Sequence, residues 1–526
     1  MQQNESKVRQ WIALAAMSLG VFMGLLDVTV VNVALPTMVR SFKTTFTNLQ
    51  WVLNAYTLVY AVTLLIMSKL GDMYGRKKIF LGSLILFVIA SAANGMAPSL
   101  LALDIGRGIQ AIGGAGMMSL SMALVASNFS GRNRGLALGI LGSIMGISTA
   151  SGPLIGGYLV EHFGWSAIFY VNVPFGILAV IMTIIFVKET PSYGKNQRID
   201  LGGMLLSAAG LFAIIYGLIV KEGRPHLSWT SIQVSGWLVS GVVLLVVFVI
   251  VELHVADPMV DVGMFKRPHF IGIILVAFVL GAGLYAFNAY LTPLMQNYIG
   301  YSAIQTGVRQ LTISGWSLIL GPIVGILSSR YSKKWMIVIS LFIGGAGFLL
   351  IARAISPGVS FVDLWPGMVL IGFTNGMVNP LLNTTGMEGV IPSEMGMASG
   401  LLNVFRQLGT TVGVVGLGLI QNSQYETYLN GHLGRINMPV AAMNGLKQAL
   451  IKAGPFSGHG IAFSHRVSQA PFAQAFQRVV VKAYDNGMVA VCVTTAGIVI
   501  FGGIGSMLLL HNHVAAPEIS ERPKNQ

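Results

Sequence analysis

The sequence predicts an all-α protein that crosses a membrane many times and carries no soluble domain. Three observations predict it. Only 10% of the 526 residues are charged and 54% are hydrophobic, whereas a soluble domain carries about a quarter charged residues. Apolar stretches of about 20 residues, enough to cross a bilayer, follow one another along almost the whole chain. Two sequence patterns also recur at nearly the same spacing, as they would if one helix bundle had been built twice. The 64 glycines and 19 prolines suit this solvent, because small residues let helices approach and neighbouring helices satisfy the backbone groups that proline frees.

In chain order the stretches lie at 11–36, 49–68, 79–97, 100–127, 135–160, 165–187, 201–220, 232–253, 269–296, 305–327, 335–354, 364–386, 397–420 and 487–510, which makes fourteen spans. The first looks like a secretory signal, with Lys7 and Arg9 ahead of an apolar run. Asp27 interrupts that run and no small-x-small cleavage site follows, so it reads as an uncleaved span. Most of the 32 Lys+Arg residues fall in segments that are cytoplasmic if the N-terminus is inside. The positive-inside rule then puts both termini in the cytoplasm of a cell (plasma or inner) membrane. Orientation therefore explains the +14 charge, and basic residues scattered between apolar blocks argue against a nucleic-acid partner. Arg107 and Arg309 are among those that fall inside spans.

The repeats organise these spans. S-K-L-G-D-M-Y-G-R-K-K at Ser68–Lys78 is echoed by G-I-L-S-S-R-Y-S-K-K-W at Gly325–Trp335, and G-L-A-L-G at 135–139 by G-M-A-S-G at 396–400. The offsets, 257 and 261 residues, each equal eight spans, as two parallel six-span halves separated by two extra spans would give. The predicted domains are an N-terminal arm (1–10), a six-helix bundle (11–187), a linker with the two extra spans (188–268), a second six-helix bundle (269–510) and a tail (511–526). Within the second bundle, segment 422–485 is amphipathic, with helix-like stretches near 438–453 and 470–485. It reads equally as a small extracellular cap and as a semi-ordered loop.

A carboxylate deep in a span must be paired, hydrated or protonated. Asp27 lies roughly 24 Å along the first span and Arg107 roughly 12 Å below the outer edge of the antiparallel fourth; in spans of about 36 Å the two depths coincide. Burial disfavours the charged carboxylate and a nearby cation favours it, so relative movement would decide whether Asp27 holds a proton. The alternative is a static buried ion pair that fixes helix packing. Asp104, one turn nearer the outside, is expected to be hydrated, and Glu388 to belong to a loop.

Asp72, Arg76, Lys77 and Lys78 cluster behind Gly71 and Gly75. Glycine permits the tight turn, and Asp72 can cap a helix or pair with a cation across an interface that makes and breaks. In the fifth span, G-I-S-T-A-S-G-P-L-I-G-G at Gly146–Gly157 combines close-approach positions with Pro153, which bends a helix. Asn32, Trp51, Asn54, Tyr56, Tyr285, Asn288, Gln296, Asn379 and Asn383 are candidates for lining an amphiphilic pocket, to which some of the 26 methionines could adapt. Taken singly, each is more often a helix contact or an interfacial aromatic. No phosphate-binding loop, metal-spaced cysteines or nucleophile triad is present, so neither an enzyme nor a cofactor is expected. Cys492 stands alone, so no intrachain disulfide forms.

Together these motifs resemble the fourteen-span drug:proton antiporter family of the major facilitator superfamily. L-D-V-T-V-V-N-V-A-L-P at 26–36 is similar to its first-span signature. The Asp72 loop resembles the superfamily's second-to-third-loop motif, with Ser68 for the usual leading glycine. Arg107 with Gln110 and Gly113 resembles the fourth-span arginine motif, with Ala111 where glycine is common. Ser148–Gly157 resembles the antiporter motif, with Ser148 for its first glycine. W-S-A-I-F-Y-V-N-V-P-F-G at 165–176 resembles a family stretch in which Ser166 replaces arginine.

The resemblance implies a monomer that exports amphiphilic, often cationic small molecules in exchange for protons. Asp27 would take the proton, Arg107 would couple to it, and Asp72, Gly75 and Arg76 would gate. Gly152, Pro153, Gly156 and Gly157 would set the antiport-specific bend. A dedicated exporter of one metabolite, lipid or peptide-like product is the rival within transport. A non-transporting membrane sensor or scaffold is the rival of another class.

Overall fold

The computed structural model describes residues 2–44, 46–191, 200–224, 227–255, 257–436 and 438–512. Most of the expected tail, from 513 on, and linker residues 192–199 lie outside these. The elements among the described residues are helices. The first group is α1 (Gln2–Ser41), α2 (Phe46–Tyr74), α3 (Arg76–Gly95), α4 (Leu100–Asn128), α5 (Gly131–Phe163), the short α6 (Ala167–Tyr170) and α7 (Asn172–Phe186). A pair follows, α8 (Leu201–Gly223) and α9 (Ile232–Glu252). Next, α10 (Pro268–Val279) and α11 (Ala286–Pro293) are joined and extended by π-helical turns at Leu280–Tyr285 and Leu294–Tyr298, giving one apolar stretch over Pro268–Tyr298. The remainder is α12 (Ala303–Leu327), α13 (Lys333–Ala354), α14 (Phe361–Gly386), α15 (Met395–His432), α16 (Val440–Ala462), α17 (His465–Ser468) and α18 (Ala473–Leu509).

Twelve helical stretches are long and apolar enough to cross a membrane, and α5, bent by 45° near Ala150, makes a thirteenth if counted as one span. α15 is longer than most but is not among them, because Asn403, Arg406, Gln407, Thr410 and Thr411 dilute its hydropathy. Local chemistry fixes the helix starts. The Ser99 hydroxyl accepts the Ala102 N–H at the head of α4, and Asp200 accepts that of Gly203 at the head of α8. Ser302 and Gln305 form a reciprocal capping box on α12. Outward faces remain apolar, as at Ile177, Ile181 and Ile184 on α7 and Val239, Val243 and Val246 on α9, which lipid requires.

The repeated patterns meet each other crosswise. Gly135 and Gly139 of α5 lie so close to α12 that an added Cβ would sit 2.8 Å from the Gly325 carbonyl and 2.6 Å from that of Gly321. Gly396 and Gly400 of α15 stand equally close to Asp72 and Ser68 of α2. Each glycine pattern thus packs on the opposite copy of the other repeated pattern. The α8–α9 pair covers one side of the α2–α15 seam, where Ile215 packs with Leu58, Ala61 and Leu408.

Of the two readings of 422–485, the structure gives a small helical unit. The ends of α15 and α18 extend into it, α16 kinks at Gly454 (φ 73°), and Tyr425, Leu429, Leu450, Phe476 and Val480 form its apolar core.

Candidate functional site: a buried carboxylate among four helices

α4 is the hub of the site because its glycines admit its neighbours. A Cβ on Gly113 would lie 2.5 Å from the Ser83 carbonyl of α3, one on Gly114 2.4 Å from the Tyr56 hydroxyl of α2, and one on Gly106 2.0 Å from the Asn94 side chain. α4 therefore presses Arg107 and Gln110 against α1, α2 and α3. Arg107 Nη1 bonds Asp27 Oδ2 directly, so the contact that the matched depths permitted is made. The same nitrogen donates to Gln110 Oε1 at 2.8 Å, Nε donates to the Val52 carbonyl at 3.3 Å, and the guanidinium lies 4.2 Å from the Tyr56 ring centroid.

The other carboxylate oxygen, Asp27 Oδ1, accepts from Gln110 Nε2 at 3.0 Å and from Asn172 Nδ2 at 3.2 Å. A further shell holds these amides. Asn94 donates to Gln110 Oε1 at 2.8 Å, Asn172 to Ser91 Oγ at 3.1 Å, and Ser91 to the Phe169 carbonyl at 2.9 Å. Asp27 is 1% exposed and Arg107 0%. The charged carboxylate is thus satisfied by three donors from two other helices. A proton on it would turn one acceptor into a donor and release part of the hold on α4 and α7.

The fifth-span motif abuts this site. A Cβ on Gly152 would lie 2.1 Å from Thr29 Oγ1, and one on Gly156 3.3 Å from the Val30 carbonyl, so α5 packs on α1 within a turn of Asp27. Pro153 follows the bend and Gly157 is buried beside it. Ser148, the departure from the motif, donates to the Ile144 carbonyl at 2.5 Å within its own helix.

A second constellation sits where α2 ends. Arg76 Nε donates to Asp72 Oδ1 at 2.7 Å, and Asp72 Oδ2 accepts the Met397 N–H at 3.0 Å. The carboxylate therefore caps the start of α15, where the helix dipole favours it. Arg76 Nη2 also donates to the Pro392 carbonyl at 2.7 Å, giving two links across the seam. Gly75 adopts φ +107°, and beside it Glu189 accepts the N–H groups of Lys77 and Lys78 at 2.9 and 3.1 Å, capping α3.

The remaining candidates divide. Tyr285 donates to Asn379 Oδ1 at 2.7 Å, and Asn379 donates to Asn375 Oδ1 at 2.7 Å. Asn383 is buried and donates to Met145 Sδ at 3.6 Å. Tyr56 belongs to the Asp27 site. Asn32 is exposed and bonds its own helix at Val28, and Trp51, 42% exposed, turns towards Tyr216 of α8; neither joins the others. Asn54, Asn288 and Gln296 are half-buried. Glu388 pairs with Lys333 near the helix ends, and Asp104 is half-buried.

Sequence reasoning missed Ser91, Asn94 and Asn172, and it gave Gln110 no role. It also passed over Arg406, buried in α15, although a cation inside an apolar stretch is the signal that singled out Arg107.

Residues 17–414 match the profile of the Major Facilitator Superfamily. The chain is 34% identical over 427 residues to multidrug resistance protein Stp of Mycobacterium tuberculosis (strain CDC 1551 / Oshkosh), covering 81% of this chain and 78% of that protein. It is 30% identical over 438 residues to the tetracenomycin C resistance and export protein of Streptomyces glaucescens, covering 82% and 79%. The crystal structure of the human organic anion transporter MFSD10 shares the fold with a TM-score of 0.61 at 15% identity, over 94% of this chain and 99% of that one. With a bundle of apolar helices built round a buried carboxylate and a profile match over most of its length, this chain belongs to the major facilitator superfamily and is a multi-pass membrane transporter.

Proposed function

We propose that this protein exports amphiphilic small molecules across the cell membrane in exchange for protons, by alternating access between two six-helix halves. Added to the twelve apolar stretches, the bent α5 and the weakly apolar α15 complete a count of fourteen spans, with both termini cytoplasmic and a working monomer. The halves are residues 11–187 and 269–510, joined through 188–268, and the 422–485 unit lies outside the cell. The single observation that carries the reading is the Asp27 carboxylate, bonded by Arg107, Gln110 and Asn172. Protonation there changes what α1, α4 and α7 can hold, and such a change shifts the balance between two facings only if the two facings bind the proton differently.

In this mechanism Asp27 carries the proton, Arg107 senses its charge, and Gly152, Pro153, Gly156 and Gly157 transmit movement between α1 and α5. The Asp72–Arg76 links to Pro392 and Met397 make the cytoplasmic latch, which Gly75 lets form. Drug resistance in the relatives' names supports efflux as the direction. One of those relatives is named for a single compound, tetracenomycin C, which favours the second reading of a dedicated exporter. Transport by purified protein in proteoliposomes, over a panel of cationic, zwitterionic, anionic and neutral amphiphiles with and without a pH gradient, tests both readings. Several cargoes moved only with the gradient support broad efflux, and one cargo supports the dedicated exporter. Transport indifferent to the gradient for every cargo rejects proton coupling.

A further inference from the structure

We propose that Arg406 binds an anionic oxygen group of the cargo, so that the transported molecule is an amphiphilic acid or zwitterion and not a simple cation. This rests on the transport reading and names its substrate class. Arg406 lies about three turns into α15 and is 5% exposed. The ion pairs among the described residues occupy other groups: Arg107 with Asp27, Arg76 with Asp72, and Lys333 with Glu388. No carboxylate among the described residues reaches Arg406. A guanidinium used only to fix packing in an apolar bundle is expected to come with a counter-charge, as Arg107 and Arg76 do.

The acceptors around Arg406 are few and weak. Nη2 donates to Asn403 Oδ1 at 2.9 Å, and Nη1 faces Met145 Sδ at 3.6 Å, a thioether already approached by Asn383 Nδ2 at the same distance. Nε, although buried, has no hydrogen-bond partner among the described residues, and neither has Asn383 Oδ1. The five N–H donors of a guanidinium form a planar fork that matches a carboxylate edge, and here much of the fork is uncommitted.

The position also suits a cargo site. Arg406 is on α15, Met145 on α5 and Asn383 on α14. A molecule held there would touch helices from both sides of the seam. Tyr285, half-buried and bonded to Asn379 one turn from Asn383, offers aromatic surface to its apolar part.

The test is equilibrium binding to the purified full-length protein in detergent at one pH, read by dansyl fluorescence. The probes are dansyl-leucine, its uncharged amide dansyl-leucinamide, and the cation dansylcadaverine. The wild-type protein is expected to bind the carboxylate about tenfold or more tightly than the amide, as a charge-assisted bidentate contact provides. Arg406→Gln should reduce that preference below about threefold, while Arg406→Lys keeps the charge and an intermediate preference. Equal affinity for carboxylate and amide in the wild type, or a full preference surviving Arg406→Gln, overturns the proposal. If Arg406→Gln does not fold, the wild-type ratio and the Arg406→Lys ratio decide, and a lysine variant with an undiminished preference counts against it. Binding at fixed pH needs no proton gradient, so a failure of proton coupling at Asp27 leaves this outcome distinct.

Discussion

The α2–α15 seam offers an exchange that can be worked out in advance. A Cβ on Gly400 would come 2.1 Å from Ser68 Oγ and 2.8 Å from Ser68 Cβ, and the next atom, the Leu64 carbonyl oxygen, is 3.6 Å away. Ser68 is fully buried and its hydroxyl donates to the Leu64 carbonyl at 2.9 Å, so it yields only by breaking that bond or moving a helix. Gly400→Ala should therefore weaken the joined seam by about 1–3 kcal/mol, the usual cost of overpacking. Because 1.4 kcal/mol is about tenfold in a population, the effect on facing would be large. Ser68→Gly removes both offending atoms and leaves ordinary contacts, so the double variant Ser68→Gly/Gly400→Ala should recover most of the loss. Thermal stability of the four proteins of this cycle, measured by size-exclusion recovery after heating and set beside transport in proteoliposomes, reads the coupling between the two sites. A double variant as impaired as Gly400→Ala, or a Gly400→Ala protein indistinguishable from wild type, refutes the packing argument.

Other perturbations follow from single contacts. Gly75→Ala forces a side chain into φ +107° and to 2.8 Å from the Glu189 carboxyl carbon, so a loss of about 1–3 kcal/mol is expected as a lowered melting temperature; an unchanged melting curve would mean that the turn relaxes freely. Asp72→Asn removes the charge from the start of α15 and from Arg76 Nε, and should reduce transport more than substrate affinity; equal loss of both contradicts a latch. Tyr298→Phe deletes the 2.5 Å bond to Asp485 Oδ1, where the ring also stacks on Tyr484. It should destabilise that junction by about 1–3 kcal/mol, seen as faster proteolysis of the 422–485 unit, and an unchanged cleavage rate would show the bond to be dispensable.

The parts legible in the sequence are those that depend on fixed helical geometry. Asp27 and Arg107 could be matched because a helix rises by a constant amount per residue, and the repeated patterns could be found by their offsets, although that they pack crosswise on one another is seen only in the structure. What lay beyond reach depended on which helix covers which. Asp72 could be read as a cap or a pairing group, but the Met397 N–H it bonds is set by tertiary contact. Ser68 looked like a departure from a glycine motif; its meaning appears only beside Gly400, which supplies the missing space from the other side. Asn32 bonds its own helix at Val28 and Trp51 meets the Tyr216 ring of α8, contacts the sequence did not indicate because a polar side chain in a helix carries no record of which neighbour it meets. Arg406 was overlooked although it falls inside the stretch 397–420, because Asn403, Gln407 and Thr410 around it make that stretch only weakly apolar and the cation stands out less. The amphipathic 422–485 segment gave no sign of what would cover its apolar side; the ends of α15 and α18 do so.

The central claim is that the Asp27 carboxylate couples proton movement to transport. In proteoliposomes loaded with a transported amphiphile, two quantities should be measured for wild type and Asp27→Asn: efflux driven by an imposed pH gradient, and exchange of labelled for unlabelled cargo without one. Wild type is expected to show both, and Asp27→Asn to keep exchange while losing its response to the gradient. An Asp27→Asn protein that still answers the gradient as wild type does would contradict the account.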